Sequence, residues 1–106
     1  MKIYNKLVRD RIPEIIFNSG KECNVVTLND RDYIIELNKK LIEEVNEYQE
    51  SQTIEELADI VEVIYAILDY KGVSKEKLEK MRLEKVKKRG EFRKKLFLID
   101  VSEKNE

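Results

Sequence analysis

Residues Leu41–Leu68 read LIEEVNEYQESQTIEELADIVEVIYAIL, and the fold turns on this stretch. It holds two carboxylate pairs at i, i+3 spacing, Glu44 with Glu47 and Glu56 with Asp59. Residues three apart on a helix are surface neighbours, about 5–6 Å apart at Cβ. Each pair can therefore aim at one point. Between the pairs lies the polar run Glu50-Ser51-Gln52-Thr53. Thr53 with Glu56 forms a capping-box pattern, so a second helix should begin near Ile54. The expectation is a helical hairpin that turns four acids towards one another.

The pattern upstream agrees. Ile34, Leu37, Leu41, Val45 and Tyr48 are spaced 3, 4, 4 and 3, which is helical periodicity. Asn29 or Asp30 is placed to cap this helix. Downstream, only Asp59 and Glu62 interrupt the apolar run from Leu57 to Leu68. A helix apolar on nearly every side must be covered on every side. A chain this short can hardly do that alone, so a homo-oligomer, dimer or tetramer, is expected to complete a four-helix-bundle core. Gly72 reads as the C-terminal cap.

Outside the hairpin, Met1–Arg11 looks like a charged arm. Pro13 and Gly20 bracket a short helix carrying Ile12, Ile15 and Ile16. Ser74 is placed to cap a Lys-rich helix to about Lys88, ended by Arg89-Gly90. Glu22–Leu28 and Phe97–Val101 carry β-branched and aromatic residues and read as short peripheral strands, with Phe97–Val101 pairing with Asn24–Leu28. The fold class is mainly all-α, in one domain.

Composition excludes several chemistries. The chain has 106 residues, 21 basic and 22 acidic, with a net charge of −1. A dedicated nucleic-acid binder should carry a basic excess, so no nucleic-acid partner is expected. There is no His and one Cys, Cys23, which reads as a packing residue. A zinc enzyme, a Ser–His nucleophile and a Glu-x-x-His di-iron centre are disfavoured. No P-loop motif occurs. No apolar run reaches a membrane span of about 20 residues, and a reducing, cytoplasmic setting is expected with no membrane partner.

Four oxygen donors without His suit a hard cation, Mg²⁺ or else Mn²⁺. Glu44 and Asp59 lie beside apolar positions, where an acid is costly unless a cation compensates. No Lys or Arg occurs between Lys40 and Lys71 to do so. The competing reading is a solvated acidic face, and Glu43, Glu50 and Glu55 are assigned to such a face.

The order of these motifs resembles the all-α nucleoside triphosphate pyrophosphohydrolases, the MazG-like and phosphoribosyl-ATP pyrophosphohydrolase-like superfamily. The residues that carry it are Glu44-Val45-Asn46-Glu47, Glu56-Leu57-Ala58-Asp59, YNKLVRDRIPEII (Tyr4–Ile16) and KKRGEFRKKLFL (Lys87–Leu98). The resemblance implies Mg²⁺-dependent hydrolysis of a nucleotide substrate to monophosphate and pyrophosphate. It implies metal ligation by Glu44, Glu47, Glu56 and Asp59, with Glu47 the candidate general base. Lys6, Arg9, Lys85 and Arg89 become candidates for substrate phosphate, and Asn5 and Asp10 for base or ribose. Eight residues separate Glu47 from Glu56, a short connection for that superfamily. The alternative is a non-catalytic oligomeric helical binding module.

Overall fold

Asn29 starts the main helix: its side-chain oxygen accepts a hydrogen bond from the Asp32 amide at 2.8 Å. In the computed structural model, which describes residues 1–104, α1 spans Ile12–Asn18, α2 Asp30–Ser51, α3 Ile54–Lys71 and α4 Lys75–Arg89. Among the described residues there are four helices and no strands.

The breaks lie where side-chain chemistry puts them. Gln52 leaves α2 with φ +55, its amide bonded to the Tyr48 carbonyl at 2.6 Å. Thr53 caps α3, its hydroxyl accepting from the Glu56 amide at 3.4 Å. Two residues thus close the α2–α3 hairpin, and the short connection is sufficient. Gly72, at φ +70, ends α3 in the left-handed region that glycine adopts without a Cβ penalty.

The chain divides into two compact units, one over Met1–Ser74 and one beginning at Lys75. In the first, α2 packs on α3. At one end the Tyr33 and Tyr70 rings meet edge to face, their centroids 6.1 Å apart. Leu37 on α2 and Val63 on α3 are buried, 4% and 8% exposed. Glu44 follows Leu37 by two turns on the same face, and Glu56 and Asp59 precede Val63 by seven and four residues. The inward stripe of the hairpin is therefore apolar at the tyrosine end and acidic towards the Gln52–Thr53 connection. In the second unit, Gly90 at φ +84 ends α4 and its amide bonds the Val86 carbonyl.

Two expectations are corrected. Asn24–Leu28 and Phe97–Val101 form no ladder. Val25, Val26 and Phe97–Ile99 are exposed. β-branched residues favour extended backbone, but a strand also needs a hydrogen-bonding neighbour, and neither segment has one. Cys23 is exposed rather than packed. Among the described residues, no helix is long and apolar enough to cross a membrane.

Candidate metal centre

Three of the four acids fall in one group, and Glu47 falls in a second that shares Glu44 with it. One carboxylate oxygen each from Glu44, Glu56 and Asp59 lie within 4.8 Å of one another, and so do oxygens of Glu43, Glu44 and Glu47. Glu44 belongs to both groups. Glu47 interacts with Glu44 on its own helix and with Glu56 on α3. Glu43, which the sequence assigned to solvent, is half-buried and takes part. The Glu-x-x-Glu spacing drew attention to Glu44–Glu47, but Glu43 reaches Glu47 at i, i+4, the other neighbour spacing on a helix.

Burial distinguishes this cluster from a solvated face. Glu44 is 6% exposed. Its Oε1 takes the Lys40 ammonium at 3.3 Å, while its Oε2 and the Glu56 Oε2 are buried without a hydrogen-bond partner. An unpaired buried carboxylate oxygen is expensive, and native structures seldom leave one. Burial is the main force raising the Glu44 carboxyl above its ordinary value, the Glu47 carboxyl adds to it, and Lys40 opposes it. The Glu56 carboxyl is also raised, first by desolvation and then by the Asp59 and Glu44 charges.

Cations reach these acids from outside the stretch. Arg9 Nη2 lies 2.6 Å from Asp59 Oδ1, and Lys6 Nζ 3.3 Å from Glu43 Oε1. Lys40 Nζ also lies 3.4 Å from Glu43 Oε2. The lack of Lys and Arg between Lys40 and Lys71 favours metal over ion pairing, but cations at the edge of the stretch and on the N-terminal arm do pair with the cluster. They leave the two buried Oε2 atoms unanswered.

The donor set fits a hard divalent ion. Oxygens sharing one ion stand no further apart than twice the metal–oxygen distance, about 4.2 Å for Mg²⁺ and about 5 Å for Ca²⁺. The acid oxygens lie within 4.8 Å of one another, so at most small side-chain rotations would bring them around one ion. All donors are carboxylates, and the orphaned oxygens are where a cation would be coordinated.

The other candidates fall differently. Lys6 and Arg9 lie at the acids, as given above. Asn5 is exposed at φ +46, so its visible role is to bend the arm, a conformation Asn tolerates. Asp10 is exposed in the turn before α1. Lys85 and Arg89 are exposed on the last turns of α4, in the second unit.

The raised carboxyls predict a pH dependence. A folded-state value above the unfolded one means the native protein holds protons the unfolded chain has released. Stability therefore falls as pH rises from the ordinary glutamate value of 4.5 through the higher folded value, and the loss is complete above it. Melting temperatures in chelator should show wild type losing ground to Glu44→Gln and Glu56→Gln as pH rises from 4.5 through the raised folded-state values. The melting-temperature gain from Mg²⁺ should grow over the same range, because metal and proton compete for these oxygens. A constant offset between wild type and variants across that range would contradict the assignment.

No protein-family model matches the chain, and no solved structure matches it. A protein of Mycolicibacterium smegmatis (strain ATCC 700084 / mc(2)155), described as uncharacterized, is similar to part of it. The two are 48% identical over 48 residues, which make up 45% of this chain and 49% of that relative. The chain thus spans about half the length of the curated relative it matches. Fold and site together define a class: an all-helical protein whose acidic clusters could hold a metal ion.

Proposed function

We propose that the protein is a Mg²⁺-dependent nucleotide pyrophosphohydrolase of the MazG-like, phosphoribosyl-ATP pyrophosphohydrolase-like kind. It would hydrolyse the α–β phosphate bond of a nucleoside triphosphate, or of a phosphoribosyl-ATP-like substrate, to monophosphate and pyrophosphate. The observation that carries this reading is the buried Glu44 carboxylate, with one oxygen unpartnered, at the meeting point of Glu47, Glu56 and Asp59. A non-catalytic helical module has no need of such a costly arrangement. The motif resemblance supplies the reaction.

Glu44, Glu56 and Asp59 would hold the ion, with Glu47 completing the set. Bound there, Mg²⁺ would neutralise charge on phosphate oxygens in the transition state. Glu47 is half-buried and, among the described residues, has no cation on it like those on Glu43 and Asp59, so it suits a carboxylate that orients or deprotonates water. Lys6 and Arg9, on the arm beside the acids, are placed to meet pyrophosphate oxygens.

A homo-oligomer belongs to this reading. Ile35, Ile42 and Val45 on α2 lie close to one face, as do Ile54, Leu57 and Val61 on α3, and all six are exposed. Such stripes fit burial against a second copy.

The test is pyrophosphate release from standard, oxidised and deaminated triphosphates and phosphoribosyl-ATP, with and without Mg²⁺. Metal-dependent release supports the reading. No release from any of them, with a melting temperature unmoved by Mg²⁺ or Mn²⁺, would overturn it and favour the oligomeric binding module.

A further inference from the structure

The N-terminal arm has neither helix nor strand before Ile12. Its ion pairs to the hairpin run from Lys6 to Glu43 and from Arg9 to Asp59, on residues of the two acid groups. Leu7, half-buried, is its apolar anchor. The arm therefore lies against α2 and α3 through the charges a divalent ion would also seek.

We infer that the arm is a metal-displaced strap: a divalent ion entering between Glu44, Glu56 and Asp59 drives Arg9 off Asp59 and Lys6 off Glu43, and presents both cations to substrate phosphate. This rests on the metal reading above and adds to it an exchange of partners.

Two observations support displacement over coexistence. A hard ion sits about 2.0–2.6 Å from its carboxylate oxygens. With Arg9 Nη2 only 2.6 Å from Asp59 Oδ1, guanidinium and ion would share one small carboxylate, a few ångströms apart and with like charge. The pair that must break is weak. The Arg9 and Asp59 side chains are 58% and 39% exposed, and such surface pairs contribute little. Lys40 differs, because it is carried on α2 itself, is largely covered and faces Glu43 and Glu44. It stays with the site while the arm leaves. Detached cations on a flexible arm then match the chemistry of a polyphosphate, which Arg grips through paired donors.

Limited trypsin digestion of the full chain reads this without an activity assay, since trypsin must extract Lys6 or Arg9 to cut after it. The Lys21–Glu22 bond, exposed in the coil after α1 and outside the arm, serves as internal reference. Mg²⁺ should accelerate cleavage after Lys6 and Arg9 relative to that bond while raising the melting temperature. Inorganic pyrophosphate added with Mg²⁺ should slow it again. Arg9→Gln should bind Mg²⁺ up to about fivefold more tightly than wild type, the scale set by a surface ion pair. A melting temperature that rises while Arg9 cleavage stays constant or slows overturns the strap and leaves the metal site standing, as does equal or weaker binding by Arg9→Gln. Cleavage that stays fast with pyrophosphate overturns the transfer to phosphate. No metal effect on melting overturns both readings.

Discussion

Glu44→Gln should abolish Mg²⁺-dependent pyrophosphate release, by at least about a hundredfold, and should make the metal-free protein more stable than wild type. The two effects have opposite sign for one reason. Glu44 is the most enclosed acid of the site, and its carboxyl is raised chiefly by burial. Ionising the wild-type carboxyl works against desolvation and a neighbouring Glu47. Gln keeps the volume and the hydrogen-bonding oxygen but removes the charge. Lys40 retains Glu43 as a partner, so the exchange leaves no isolated cation. A gain on the order of 1 kcal/mol, or several degrees in melting temperature for a domain of this size, is expected in chelator. Adding Mg²⁺ should reverse the order, because only wild type gains from the ion. Thermal melts with and without Mg²⁺, alongside pyrophosphate release, measure both. If Glu44→Gln is less stable than wild type without metal, the carboxylate is a structural ion-pair partner and the metal-centre reading loses its main support. The conservative Glu44→Asp, one methylene shorter, should recover part of the metal response and little of the turnover, since geometry rather than charge then limits it.

Much of this site was legible in the sequence because its determinants are local. Helix periodicity from Ile34 to Tyr48 set the face on which Glu44 falls, and the caps Asn29, Thr53 and Gly72 lie where they were expected. Once the two helices and a short connection are given, i, i+3 acids on each must approach. The arm was legible only as a charged segment. Lys6–Glu43 and Arg9–Asp59 join residues 37 and 50 positions apart, and such pairs leave no periodic trace. They also weaken the preference for metal over ion pairing that rested on the lack of Lys and Arg between Lys40 and Lys71. The unformed strands failed for a different physical reason. Val25, Val26 and Phe97–Ile99 have the composition of strands, but pairing depends on what lies alongside, which composition does not encode.

Ile42→Asp combined with Val61→Asp should convert an oligomeric protein into a monomer, weakening self-association by more than about a thousandfold. The six exposed apolar residues of the α2 and α3 stripes retain a large part of their surface. Completing their burial is worth about 1–2 kcal/mol each, or about 12–24 kcal/mol summed over two copies. Association costs about 4–15 kcal/mol in lost translational and rotational freedom, so the apolar term can carry a dimer. Two carboxylates per copy in that contact would face desolvation without partners and remove the surplus. The same argument bears on folding. In the Met1–Ser74 unit the buried apolar side chains are Leu37 and Val63. Half-buried neighbours, among them Ile34, Leu41, Ile60, Ile64 and Ile67, add to them and would gain further burial against a second copy. In the oligomer proposed above, the variant should therefore melt at a lower temperature as well as sediment as a smaller particle. Sedimentation across a concentration series, with melting temperatures at the same concentrations, reads both effects. Wild type should show a melting temperature that climbs with concentration. A wild type that sediments as a monomer with a concentration-independent melting temperature would refute oligomerisation and require the hairpin to stand on its own few buried contacts.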